Sequence, residues 1–250
     1  MPELILNDCM AHYRISSRTP PDAMTVVCLH GSGADSIVWS AQLSRLRRKH
    51  NIIAPDLPAH GRSEGPTLKS ATNYAEWLNV FTQELGLKRF FLMGHSFGGA
   101  IAQEYTRRHP EQITGLVLIG TGTRFQLSGT YLELFEKGLN PEDSTVRQQL
   151  PEQFCEAFAF LKDNSSPALH ADLLAAGRFD SRDWISSITA PALIVRGAND
   201  CVTPPDMPAE LADMLPNAEL AIIEDSGHVV MLEARDAFNE RVNTFFEACR

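Results

Sequence analysis

The sequence predicts an α/β fold: a mostly parallel, doubly wound sheet with an antiparallel N-terminal edge and an inserted helical cap. Three observations carry this. Continuous apolar runs such as Met24-Thr25-Val26-Val27-Cys28-Leu29 and Leu116-Val117-Leu118-Ile119 are of the kind expected for strands covered on both faces. These runs alternate with helical patterns, and such alternation requires parallel pairing through right-handed crossovers. From about Thr123 to Trp184 the alternation stops, and the pattern is helical throughout, with no strand evident. That interval is too long for a connecting loop. It is therefore assigned as a cap, residues 123–184, over a core formed by residues 1–122 and 185–250. A cap there would lie over the C-terminal edge of the sheet, where open α/β sheets bind ligands.

Taken in order, residues 4–16 read as a hairpin turning at Asn7-Asp8, which supplies the antiparallel edge. The run ending at Leu29 breaks at His30-Gly31-Ser32-Gly33. A helix is expected from Trp39 to His50, with Arg45, Arg47, Arg48 and Lys49 near the negative end of its dipole. A short strand, Asn51-Ile52-Ile53-Ala54, then leads into the loop from Pro55 to Ser63. Tyr74, Trp77, Leu78, Phe81 and Leu85 mark the apolar stripe of a helix capped by Thr72 or Asn73 and closed by Gly86. Phe90 to Ala102 reads as strand, pinched turn and helix, the helix running to about Arg108. In the cap, Tyr131, Leu134, Phe135, Leu139, Phe154, Phe158 and Leu161 recur at helical intervals and mostly serve packing, some lining an apolar pocket. Two more strands follow, at Ala192-Leu193-Ile194-Val195 and residues 218–223, and residues 233–248 form a final helix.

Composition narrows the function. The 250 residues are 44% hydrophobic and 21% charged, which suits an ordinary globular domain with a sizeable core. A formal charge of -9 argues against nucleic acid or an anionic membrane as the main partner, since both select a basic face. The five cysteines have neither disulfide-framework nor zinc-site spacing, so no metal is expected and Cys28 and Cys201 are read as buried packing residues. The N-terminus has no basic, apolar leader pattern, and no run of about 18 apolar residues occurs, so a cytoplasmic protein without a membrane span is expected. Oligomeric state is not legible.

The chemistry centres on Gly94-His95-Ser96-Phe97-Gly98. Glycines on either side of a strand-to-helix apex let the two elements crowd together and expose the serine hydroxyl. Such a serine requires a base, and the base a carboxylate that fixes its tautomer. Both belong in loops after later strands. Asp200 lies in Gly197-Ala198-Asn199-Asp200, and His228 in Ser226-Gly227-His228. Asp225 is a rival acid, but three residues before His228 it suits a turn better. An oxyanion needs two donors: the Phe97 N–H at the positive end of the elbow helix, and the Ser32 N–H, with Gly33 N–H as its rival. His95 points away from its neighbour and supports the site from beneath. His30 braces the glycine turn, while Asp56, His60 and Arg62 brace their own loop.

With these segments and Asp56-Leu57-Pro58-Ala59-His60-Gly61-Arg62-Ser63, nearly the whole chain resembles the α/β-hydrolase superfamily, among its small capped esterase-like members. The resemblance implies that Ser96, His228 and Asp200 form a catalytic triad needing no cofactor. Family members commonly have glycine where Ala59 stands, a departure expected to affect only loop conformation. Relatives that open epoxides or remove halides carry Asp at the elbow, and hydroxynitrile lyases place Lys near the catalytic His, whereas Val229 follows His228 here. The expected activity is hydrolysis of small apolar carboxylic esters, with thioesters and lactones open. Two alternatives remain: a carbon–carbon bond hydrolase of ring-fission-type diketones, which often has Trp where Val229 stands, and a non-catalytic small-ligand receptor.

Overall fold

The computed structural model describes residues 2–17, 19–20, 22–125 and 167–249. Most of the segment expected as the cap, including the residues at helical spacing from Tyr131 to Leu161, lies outside them. The strands are β1 (Glu3–Leu6), β2 (Cys9–Ile15), β3 (Met24–Leu29), β4 (His50–Pro55), β5 (Phe90–His95), β6 (Ile113–Ile119), β7 (Ala192–Gly197) and β8 (Ala218–Ile223). They form one sheet in the order β1-β2-β4-β3-β5-β6-β7-β8. β1 pairs with β2, and β2 with β4, antiparallel, and every other pairing is parallel. The expected α/β sheet with its antiparallel edge is therefore present.

This order positions the site. The chain leaves β3 toward β4 on one side and later places β5 on the other, which makes the C-terminal ends of β3 and β5 the switch point at which open α/β sheets bind ligands. Leu29 is paired with Gly94, which sets the turn after β3 beside the elbow after β5.

Alternation along the strands divides the core into two layers. Val27, Leu29, Leu92, Leu116 and Leu118 face the helices α2 (Ala71–Glu84) and α3 (Phe97–Arg108). Val26, Cys28, Met93, Val117 and Ile119 face the opposite layer, which contains Trp39, Phe238, Val242 and Phe246. Because both faces are covered, these strands read as unbroken apolar runs rather than alternating ones.

Local details differ from expectation. The helix expected over residues 39–50 is a 3-10 turn (Ser36–Trp39), a short α1 (Ser40–Arg45) and a second 3-10 turn (Leu46–Arg48). Its cations reach the last helix: Arg45 pairs with Asp236 at 2.7 Å and Lys49 with Glu247. The cap of α2 is Ser70, whose Oγ accepts the Asn73 N–H at 3.1 Å, a few residues earlier than the expected Thr72 or Asn73. After the undescribed segment come α4 (Pro167–Gly177) and α5 (Asp206–Met214). The last helix, α6 (Arg235–Ala248), starts two residues late, because Ala234 leaves the helical region (φ -119°, ψ 47°) and sets apart a short turn at Val230–Glu233. Cys28 is buried as expected, but Cys201 is exposed, in the loop after β7.

Candidate active site

Ser96 occupies the apex between β5 and α3 with φ +52° and ψ -121°, a conformation that a non-glycine residue holds only where its surroundings enforce it. The enforcement is visible. Its N–H donates to Ile119 O at 2.8 Å, its carbonyl accepts the Gly99 N–H at 2.8 Å, and glycines clear the space around it. A Cβ on Gly94 would lie 2.3 Å from Gly98 O, and one on Gly98 would lie 2.5 Å from His30 O. Ser96 stands where a helix cap would stand, yet its side chain makes no capping hydrogen bond, unlike that of Ser70.

His228 Nδ1 lies 3.0 Å from Asp200 Oδ2, and both groups are buried. Asp200 is held from several sides: Oδ1 accepts the N–H groups of Val202 (2.8 Å) and Thr203 (3.0 Å), and Oδ2 also accepts the Thr203 hydroxyl. Burial opposes ionisation of this carboxyl, but hydrogen bonding and charge from His228, with the Thr203 donors, outweigh it and hold its pKa at about 2. Asp225 is exposed at φ +54° and shapes the turn. The loop carrying Asp200 is stitched by Arg196, which donates to the carbonyls of Asp200 (2.9 Å) and Ala198 (3.0 Å). Glu233 accepts the N–H groups of Gly227 and Val229 and so fixes the loop around His228.

His95 links this pair to the elbow. It is fully buried, and burial, with the nearby His228, lowers its pKa to about 3, so the ring is neutral. His95 Nε2–H donates to His228 O at 3.0 Å, and the two rings are 4.7 Å apart. The residue before Ser96 thus carries the backbone of His228, the supporting position expected of it.

The turn after β3 is closed by the Ala34 N–H on Gly31 O (3.2 Å), with Gly33 at φ +65°. It abuts the elbow: a Cβ on Gly31 would be 3.1 Å from Ser96 Cβ. His30 Nε2 accepts the Leu57 N–H at 3.0 Å, so Nδ1 carries the proton and donates it to Gly31 O at 2.8 Å. Burial, reinforced by nearby His60, lowers the His30 pKa to about 4 and keeps this tautomer neutral. A trans peptide is planar, so fixing the Gly31 carbonyl aims the Ser32 N–H the opposite way. The same geometry applies at the elbow, where the Ser96 carbonyl is tied to Gly99 and the Phe97 N–H points out of the helix start. Neither the Ser32 nor the Phe97 amide has an acceptor among the described residues. The Gly33 N–H, the rival donor, is engaged by Asp172 Oδ2 at 3.2 Å.

Asp56 braces its loop as expected, accepting from Ser36 N (2.7 Å), Arg62 N (3.0 Å) and His12 Nδ1 (2.7 Å). His60 does more than brace its own loop. Its Nδ1 faces Pro58 O at 2.9 Å and its Nε2 faces Asp172 Oδ2 at 2.8 Å. Two acceptors require two N–H groups, hence an imidazolium. Burial lowers the pKa, but the charge and hydrogen bond of Asp172, with Pro58 O and Asp56, raise it overall. Sequence reasoning missed Asp172, Thr203, Arg196 and Glu233. Asp172 left a readable signal, being the only carboxylate in the apolar Pro167-Ala168-Leu169-His170-Ala171-Asp172-Leu173-Leu174-Ala175-Ala176 run. No group of three or more metal-ligating side chains occurs among the described residues, and none of their helices is long and apolar enough to cross a membrane.

Residues 26–241 match the family model of the alpha/beta hydrolase family, and the chain belongs to that family. The RutD protein of Agrobacterium fabrum, named for carbamate hydrolysis, is 26% identical over 94% of this chain and 97% of its own length. Human protein ABHD8 is 25% identical over 87% of this chain, which spans only 54% of that protein. Among solved structures, a thermophilic esterase superposes with a TM-score of 0.80 at 27% identity, covering 99% of this chain and 97% of that one. The enol-lactonase of Burkholderia xenovorans LB400 shares the fold, with a TM-score of 0.84 at 22% identity over 98% of this chain and 100% of its own.

Proposed function

We propose that this chain is a serine hydrolase of small apolar acyl compounds, carboxylic esters first, working through an acyl-enzyme on Ser96. The observation that carries the reading is the convergence at one sheet edge of a strained, uncapped Ser96 and a buried Asp200–His228 pair joined to it through His95. Asp200 accepts the Nδ1 proton of His228, which leaves Nε2 as the base for the serine hydroxyl. Ser96 Oγ adds to the acyl carbon as its proton passes to Nε2. The oxyanion is received by the Ser32 and Phe97 N–H groups, and the proton is returned to the leaving group as the carbonyl re-forms. Water, activated by the same His228, then releases the acid. No step calls for a cofactor.

The relatives' names widen the substrate class in one direction. One relative is named for carbamate hydrolysis, one as an esterase and one, at 26% identity, for degrading N-acyl homoserine lactone, and carbamates, esters and lactones share an acyl carbon bearing an oxygen or nitrogen leaving group. We place this chain in the cytoplasm, with the segment 123–184 as a cap that walls the acyl pocket. The test is a panel of p-nitrophenyl acetate, p-nitrophenyl butyrate, a γ-lactone, a carbamate and a ring-fission-type dienoate. Turnover of the butyrate ester with none of the dienoate is expected. Turnover of the dienoate alone would overturn the reading in favour of carbon–carbon cleavage, and thermal stabilisation by these compounds without turnover would favour a receptor.

A further inference from the structure

Asp172 is fully buried, and no step of the proposed reaction uses it. Its three hydrogen bonds reach three separate parts of the chain. Oδ1 accepts the Tyr74 hydroxyl at 2.7 Å, from α2. Oδ2 accepts His60 Nε2–H at 2.8 Å, from the loop after β4, and the Gly33 N–H at 3.2 Å, from the turn after β3. Each donor continues to an oxyanion amide. Gly33 follows Ser32 directly. The His60 ring lies 5.0 Å from that of His30, which holds the Gly31 carbonyl and thereby orients the Ser32 N–H. The Tyr74 ring meets the Phe97 ring edge-on at 5.6 Å.

We propose that Asp172 is a positioning residue for the oxyanion hole: from α4 it clamps the Gly33 turn, His60 and Tyr74, and so holds the Ser32 and Phe97 amides at their working separation. The inference rests on the serine-hydrolase reading. Burial of an ion pair is a poor way to gain stability, because desolvation offsets most of the attraction and an apolar replacement is often neutral. What the pair supplies is direction, since one planar carboxylate fixes three donors at defined angles. The choice of partner also fits the task. A lone carboxylate beside a site where negative charge develops would oppose the reaction, and the His60 imidazolium cancels it.

The test compares wild type with Asp172→Asn, Asp172→Ala and Tyr74→Phe. For each, kcat and KM are measured on p-nitrophenyl butyrate, with inhibition by a trifluoromethyl ketone and the melting temperature. The ketone adds to Ser96 as a tetrahedral oxyanion and so reads the hole directly. Outright loss of one oxyanion donor costs about 10²–10³ in kcat, and this bounds the effect. Asp172→Ala is expected to lower kcat by about 30- to 100-fold with KM within about threefold, and to weaken the ketone by the same factor. Asp172→Asn is expected to lose only about tenfold, because its carbonyl still accepts from Gly33 and His60 while its NH₂ donates to Tyr74. It also decides the matter should the alanine variant not fold. Kinetics and ketone affinity within about twofold of wild type in Asp172→Asn, or a raised KM with unchanged kcat, would overturn the proposal. If wild type itself neither turns over an ester nor binds the ketone, the serine-hydrolase reading is what fails, and the Asp172 series is not what shows it.

Discussion

Replacing Asp200 with asparagine probes the base through its tautomer. Asp200 Oδ1 accepts two backbone N–H groups, from Val202 at 2.8 Å and Thr203 at 3.0 Å. An asparagine must keep its carbonyl there, because turning its NH₂ toward two N–H donors would leave them without acceptors, at about 1–3 kcal/mol for each that is buried. Its NH₂ therefore occupies the Oδ2 position and faces His228 Nδ1 from 3.0 Å. That ring nitrogen must then accept, which drives the proton to Nε2, the atom that serves as base in the proposed reaction. The fold is spared while the reactive tautomer is removed. Losses of about 10⁴ in kcat accompany this change in the Ser-His-Asp systems from which the rule comes, equivalent to about 5.4 kcal/mol of barrier. We expect about 10³–10⁴ here, with KM and melting temperature little altered. The assay is steady-state hydrolysis of p-nitrophenyl butyrate by enzyme purified free of wild-type contamination. A folded Asp200→Asn variant within about tenfold of wild type would refute the tautomer argument and remove Asp200 from the mechanism.

Three further outcomes follow from the geometry. Ala59 sits at φ +66°, so Ala59→Gly relieves left-handed strain of about 1–2 kcal/mol against an entropic cost of about 0.5–1, and denaturant unfolding should show a net gain of about 0.5 kcal/mol. Gly98→Ala would place a Cβ 2.5 Å from His30 O and 2.6 Å from Leu29 O, both backbone atoms; a loss of at least about 2 kcal/mol in stability is expected by the same measurement. The third concerns pH. Because His60 has its pKa raised above 6.5 by folding, its stabilising contribution is complete below that value and is lost as pH rises through the raised pKa. The melting temperature of wild type should exceed that of His60→Gln most in mildly acidic buffer, and the gap should narrow as pH rises. A gap that widens with pH would show that the imidazolium is not the stabilising form. Asp200, with its pKa held at about 2, stays ionised across that range and does not contribute to the trend.

Much of this was legible in the sequence, for identifiable reasons. Strands buried on both faces, such as Val26 to Leu29, announce themselves as apolar runs, and Gly94 and Gly98 are required by the crowding now visible at 2.3 Å and 2.5 Å. Ser96, His228 and Asp200 each lie just after a strand, so their places could be counted along the chain. Contacts between distant segments could not. Asp172 meets Gly33 across 139 positions and Tyr74 across 98, and nothing in local periodicity encodes such a meeting. The helix expected over residues 39–50 failed for a related reason: its apolar positions Trp39 and Leu46 are buried in the same core layer by a chain that tightens into 3-10 turns at both ends. The cap of α2 was misplaced by a few residues because Thr72, Asn73 and Ser70 are all competent caps, and only the extended backbone of Ser70 selects among them.

In the proposed reaction Ser96 is acylated and then released by water. Rapid mixing with p-nitrophenyl butyrate, wild type beside Ser96→Ala, tests it most directly, with the quenched protein weighed by mass spectrometry. Nitrophenol release in a burst stoichiometric with enzyme and a butyryl adduct on the peptide containing Ser96 are expected, with neither in Ser96→Ala. Ester hydrolysis that persists at the wild-type rate in Ser96→Ala would contradict it.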